Sequence, residues 1–176
     1  MTVCGRFAPT PSGRIHLGNI LCAMLSWLSV RSKNGRYLLR IEDLDAMRCP
    51  RSLADLIEDD LKWFGIDWDD GGSAGGDAWY QSCRTAIYDR YFDVLKDKGL
   101  LYPCFCSRAE LHTAQAPHRS DGTYIYAGTC RNLTPEQIAE KSKRRPPAWR
   151  VRVPDREMSF TDGCQGVYTE NLAHDC

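Results

Sequence analysis

Apolar and polar positions alternate too briefly in the first eight residues for more than a short strand. Val3 to Ala8 reads as that strand, running into the turn Pro9-Thr10-Pro11-Ser12-Gly13. From Leu17 the apolar residues Leu17, Ile20, Leu21, Met24, Leu25 and Leu28 recur at helical spacing, and Asn34-Gly35 supplies a stop. Tyr37 to Ile41 predicts a buried strand that ends in the carboxylates Glu42, Asp43 and Asp45. Ser52 is placed to cap a second helix whose apolar face is Leu53, Leu56, Ile57, Leu61 and Phe64, ending at Gly65. Asp69 to Asp77 reads as a glycine-rich loop too polar to pack. A third helix is predicted over about Arg84 to Lys98, with Gly99 after it. Strand, helix, strand, helix is the βαβ order of a parallel sheet.

The order changes after Gly99. Leu100 to Phe105 is strand-like and carries Cys104-Phe105-Cys106. Thr134-Pro135-Glu136 looks like a helix start with proline at its first position. That helix runs into the basic residues Lys141, Lys143, Arg144 and Arg145 and stops at Pro146-Pro147. Trp149 to Val153 and Met158 to Thr161 complete the pattern as strands. The second half reads as an insert on the first. The expected division is 1–100, 101–147 and 148–176.

Composition narrows the classes. The 176 residues carry 23 acidic and 23 basic side chains, so a generic nucleic-acid coat, which would be strongly basic, is excluded. No apolar run nears the length of a membrane span and no export signal is visible, so the cytoplasm is the expected compartment. Nine cysteines at irregular spacing favour reduced thiols, some of them holding metal, over a disulfide framework.

The chemistry concentrates in RFAPTPSGRIHLGN, residues 6 to 19. A tight turn directly before a helix start presents backbone N–H groups and the positive end of the helix dipole, which is an anion site. His16 adds a donor there, and Gly18 permits close approach of a nucleoside. Arg6 is suited to clamp a carboxylate, and Glu42 to meet an ammonium at the same sheet edge. A plain loop with His16 capping the helix is the competing reading.

This stretch resembles the first signature of the class I aminoacyl-tRNA synthetases, written here His16-Leu17-Gly18-Asn19. Together with RIEDLDAMR at 40 to 48 it resembles the glutamyl-tRNA synthetase branch. The likeness implies a Rossmann-like α/β fold with a small zinc-binding insert. It also implies that ATP, with Mg2+, is bound by His16, Gly18 and Asn19, and L-glutamate by Arg6, Phe7, Ala8, Pro9, Thr10 and Glu42. Glu42-Asp43-Leu44-Asp45 is similar to a shorter group in that branch, the glutamyl-queuosine tRNA(Asp) synthetases, with tRNA(Glu) as the alternative acceptor. Cys104, Cys106, Tyr126 and Cys130 resemble that group's structural zinc site. Three buried thiols beside a core tyrosine, or His112 or His118 in place of Tyr126, are the alternatives. Trp63, Trp68 and Trp79 read as packing residues, and the basic run as a solvated helix end. The family's second signature, Lys-Met-Ser-Lys-Ser, has no counterpart among the 176 residues. The chain therefore reads as the front part of a monomeric enzyme, with a non-catalytic nucleotide- or tRNA-binding role as the alternative.

Overall fold

In the computed structural model, residues 3–111 and 126–174 are described, and they fall into two compact units that divide between Arg90 and Tyr91. The first unit is built on β1 (Cys4–Phe7), α1 (Leu17–Arg31), β2 (Arg36–Leu39), α2 (Ser52–Trp63) and β3 (Asp70–Gly71). The three strands form a parallel sheet in the order β1-β2-β3, with Cys4 opposite Arg36 and Phe7 opposite Leu39. Parallel neighbours require crossover helices, and α1 and α2 supply them.

The predicted helix at Leu17 forms, but it does not bury the stripe that its leucines mark. Ile20, Ala23 and Val30 are buried and Trp27 packs beside them, whereas Leu17 is 80% exposed and Leu21, Met24, Leu25 and Leu28 are exposed as well. The choice of face is set by fit. Gly5 on β1 is so close to α1 that a Cβ there would come within 2.3 Å of Val30. The hydroxyl of Tyr37 donates to the Ala23 carbonyl at 3.0 Å, which only a small residue at 23 permits.

Ser52 is the first residue of α2 and makes no cap; Arg51 stands at the cap position. The buried face of α2 is Ala54, Ile57, Glu58 and Leu61, while Phe64 is exposed. The loop expected to be too polar to pack is corrected too: Asp70 and Gly71 pair with Leu38 and Leu39 as β3. An edge strand needs backbone partners rather than apolar side chains, and a Cβ on Gly71 would sit 1.9 Å from the Leu39 carbonyl oxygen. Glu58 anchors the turn after β3, accepting from the Ser73 backbone N–H and, at 3.0 Å, from the Ser73 hydroxyl. Glu58→Ala should therefore lower the denaturation free energy by about 1–3 kcal/mol, because both Ser73 donors lose their buried acceptor. Glu58→Gln, which keeps an acceptor, should lose less. Urea midpoints at unchanged m-value check this, and an alanine variant as stable as the parent would refute it.

Helix α3 (Thr85–Asp97) ends where Gly99 adopts φ +67°, as its spacing predicted, although none of its residues is buried. The second unit pairs β4 (Leu101–Cys104) with β5 (Ala148–Val151) in antiparallel fashion. A single helical turn, α4 (Arg108–Leu111), comes after β4, and α5 (Pro135–Ser142) opens on a capping box in which Thr134 and Gln137 satisfy each other's backbone N–H. The strand expected at Met158 is half of a hairpin, β6 (Glu157–Asp162) with β7 (Gly166–Asn171). Among the described residues no helix is long and apolar enough to cross a membrane.

Candidate functional sites

Because β1 and β2 run parallel, the chain leaves both at the same edge of the sheet. Two hydrogen bonds extend the ladder past the strands: the Arg40 N–H donates to the Phe7 carbonyl and the Glu42 N–H to the Pro9 carbonyl, both at 3.0 Å. The segment Ala8-Pro9-Thr10 and Glu42 are thereby fixed beside one another. Pro9 and Pro11 are buried and stiffen the turn, while Arg6 and Thr10 remain exposed. Phe7 and Ala8 are half-buried. The Glu42 carboxylate forms an ion pair with Arg40.

The residues after Glu42 hold the loop in place. Asp43, only 4% exposed, accepts from the Ser82 N–H at 2.9 Å and its hydroxyl at 2.7 Å. Ile41 bridges to Tyr80, with its N–H on the Trp79 carbonyl and its carbonyl accepting from the Gln81 N–H. Asp45 accepts from the Arg48 backbone at 3.3 Å. Asp43 and Asp45 therefore shape the loop through backbone and hydroxyl donors, and Arg40 turns to Glu42 instead.

His16 takes the cap position of α1 in extended conformation, but its side chain caps nothing. The plain capping role is thereby set aside: its carbonyl takes the Asn19 and Ile20 N–H groups, and its ring lies over Gly18, where a Cβ would meet it at 3.2 Å. No acidic residue stands in the first turn to neutralise the dipole. One residue that sequence reasoning missed fixes this loop. Asp60 on α2 accepts from the Ile15 N–H at 3.0 Å and pairs with Arg14, directly before His16. Its only sequence signal, a carboxylate on a helix, is too common to read.

In the second unit the expected metal ligands come together. The Cys104, Cys106 and Cys130 sulfurs lie within 4.8 Å of one another. Cys106 and Cys130 are 3.6 Å apart, and the Tyr126 hydroxyl is 3.3 Å from Cys104 and 3.9 Å from Cys106. A tetrahedral zinc with its usual bond lengths separates two thiolates by about 3.8 Å, and a thiolate from an oxygen ligand by about 3.5 Å. Three of the six edges, Cys106–Cys130 and the two from Tyr126, already stand near those lengths. His112 and His118 lie outside the described residues.

The electrostatics suit a cation. Burial alone would raise the Cys104 thiol, but hydrogen bonds from Tyr126, the Cys106 backbone and Arg150 outweigh it and lower it to about 7. Burial, with Cys130 and the Cys104 charge beside it, pushes Cys106 up to about 11. Burial and the Cys104 contact raise Tyr126. Arg150, held on β5 opposite Tyr102, lies 3.9 Å from the centre of the Tyr126 ring and offsets the negative charge of the cluster. Its place could not be read from spacing, because the pairing of β4 with β5 brings it there across more than forty residues.

The family model described as tRNA synthetases class I (E and Q), catalytic domain, matches residues 2–174. Among curated relatives, a glutamyl-Q tRNA(Asp) synthetase of Nitratidesulfovibrio vulgaris is 48% identical over 92% of this chain and 51% of its own length. Glutamate–tRNA ligase 2 of Alkalilimnicola ehrlichii is 44% identical over 92% of this chain and 35% of its own. A crystal structure of a glutamate tRNA ligase from Elizabethkingia meningosepticum, in complex with its amino acid, superposes with TM-score 0.76 at 30% identity, covering 97% of this chain and 36% of that one. The chain thus spans about half the length of the first of these relatives.

Proposed function

The chain belongs to the class I tRNA synthetases of the E and Q type, with their α/β fold, and from that premise we propose that it forms the glutamate- and ATP-binding part of a glutamate-activating ligase. In this reading a carboxylate oxygen of L-glutamate attacks the α-phosphorus of Mg2+-bound ATP. The bond to the β-phosphate bridging oxygen breaks, leaving glutamyl-adenylate and pyrophosphate. The protein supplies no nucleophile, only position and charge. Arg6 clamps a glutamate carboxylate, Glu42 meets the ammonium, and Phe7, Ala8, Pro9 and Thr10 shape the floor. His16, Gly18 and Asn19 hold the nucleotide at the start of α1. The observation that carries this reading is the 3.0 Å hydrogen bond from Glu42 to Pro9, which locks the two halves of the amino-acid clasp together.

The acceptor in this proposal is the queuosine base of tRNA(Asp), supported by the name of the N. vulgaris relative; the A. ehrlichii relative favours tRNA(Glu) as the second reading. Residues 1–100 serve as the first half of the nucleotide-binding domain, 101–147 as the insert and 148–176 as the start of a connection. The enzyme works as a cytoplasmic monomer. Cys104, Cys106, Tyr126 and Cys130 would hold a structural zinc, which closes a polar loop with little apolar material to fold around.

Binding is read with a non-hydrolysable glutamyl sulfamate of adenosine. At a hundredfold excess over its dissociation constant, it should stabilise the chain by about 2.7 kcal/mol. Arg6→Ala and Glu42→Gln should abolish the gain, and an unshifted melting curve for the parent would overturn the reading. Charging of queuosine-containing tRNA(Asp) against tRNA(Glu) then decides the acceptor.

A further inference from the structure

The segment that leads from Thr10 to α1 has little backbone structure of its own. Among the described residues, residues 11–15 take part in one backbone-to-backbone hydrogen bond, from Ser12 to the Thr10 carbonyl at 2.9 Å. Gly13 has φ +143° and open space where a side chain would stand, so this point of the loop offers little resistance to bending. Two contacts hold the far end. The Ile15 side chain packs against the core, and Asp60 takes the Ile15 N–H at 3.0 Å while pairing with Arg14. His16 follows at once, and its carbonyl opens α1.

The Asp60 side chain is 16% exposed and stands on α2, whose neighbouring residues Ile57 and Leu61 are buried. Its position is therefore set by core packing and not by the loop it holds. A loop binds its ligand only for the fraction of time that it stands in place, and apparent affinity scales with that fraction. We propose that Asp60 is a positioning residue for the nucleotide, which keeps Arg14-Ile15 fixed and so aims His16 and the start of α1 at the phosphates. This rests on the glutamate-activating reading above. The hydrogen bond to Ile15 carries the effect, not the charge. A carboxylate beside an anion site repels the anion, and the paired Arg14 guanidinium offsets that repulsion. The competing arrangement makes Arg14 itself the phosphate ligand, with Asp60 merely drawing it away.

Calorimetric titration of the full chain with α,β-methylene-ATP and Mg2+, and separately with L-glutamate, tests the proposal. Asp60→Ala should weaken the nucleotide about tenfold or more, the order expected for a lost hydrogen bond to a charged acceptor, and leave L-glutamate within about twofold. Asp60→Asn, which keeps an oxygen for the Ile15 N–H, should recover most of the nucleotide affinity. Asp60→Glu keeps the charge but displaces its oxygens, and should lose the nucleotide selectively even if the alanine variant does not fold. Arg14→Gln should cost less than Asp60→Ala, and Asp59→Ala, on the exposed side of the same helix, should bind like the parent. Parental nucleotide affinity in both the alanine and glutamate variants would overturn the proposal. So would equal loss of both ligands in a folded variant. Tighter nucleotide binding by Asp60→Asn, with a tenfold loss in Arg14→Gln, would give the phosphate to Arg14 instead. A parent that binds L-glutamate but no nucleotide also refutes it, whereas a parent that binds neither strikes the underlying synthetase reading and this proposal with it.

Discussion

Replacing Cys130 with alanine is expected to reduce zinc in the purified protein from about one ion per chain to background, since a structural site needs all four ligands. The loss should reach beyond the metal. Cys104, Cys130, Phe105 and Tyr102 are the buried residues of the second unit's small cluster, with Tyr126, Leu133 and Ile138 packed against it. A core of that size cannot offset the entropy of ordering the loops around it, so under the zinc proposal its stability would be bound to the ion. Chelator should therefore remove near-ultraviolet ellipticity from the aromatic residues of this unit, and added zinc should restore it. Emission analysis finding no zinc in the parent would end the metal reading and return the cysteines to ordinary packing.

The identity of the fourth ligand can be settled by a proton count. Burial and the neighbouring Cys104 raise the Tyr126 phenol, so in the metal-free chain it is protonated at about pH 7.5. Coordination as phenolate must expel that proton. Cys104, lowered to about 7, is already largely ionised at that pH and releases less than one. Zinc titrated calorimetrically in buffers of different ionisation enthalpy should thus release fewer protons from Tyr126→Phe than from the parent, by less than one because Cys104 loses the hydrogen bond that lowers it, with weaker binding. Equal counts would exclude Tyr126 and leave three thiolates with a different fourth ligand.

Local rules predicted those elements whose signals are local. Gly65 and Gly99 end helices, and Thr134 with Gln137 builds the cap that its spacing announced. The three thiols were legible through the family resemblance rather than a local rule: Cys-x-Cys is a weak signal by spacing alone, and Cys130 lies more than twenty residues further on. What sequence could not supply was the choice between alternatives with equal local merit. Helix α1 is apolar on two sides, and periodicity cannot say which one meets the sheet; Gly5 and Ala23 decide it by how closely they let other atoms approach. β3 has no apolar pattern, because its pairing is all backbone. Asp60 and Arg150 act across tens of residues, so their roles exist only once the chain has folded.

That distinction matters for His16, whose role depends on a loop held from outside. In a complete enzyme that carries this segment together with the second signature, His16→Ala is expected to lower glutamate-dependent ATP–pyrophosphate exchange by about 10²–10³-fold, the usual cost of removing one preorganised donor from a developing charge. The imidazole rests over Gly18 and makes no cap, so its removal breaks no hydrogen bond that the fold uses. Melting temperature should therefore change little, and affinity for the glutamyl sulfamate should fall far less than the exchange rate. A merely structural histidine predicts the reverse: lost stability with the rate following only the folded fraction. Exchange that survives the substitution at the parental rate would remove His16 from the chemistry. A parent that binds the sulfamate yet exchanges no pyrophosphate would instead make the chain a nucleotide-binding module, because Arg6 and Glu42 can select glutamate whether or not anything completes the transfer.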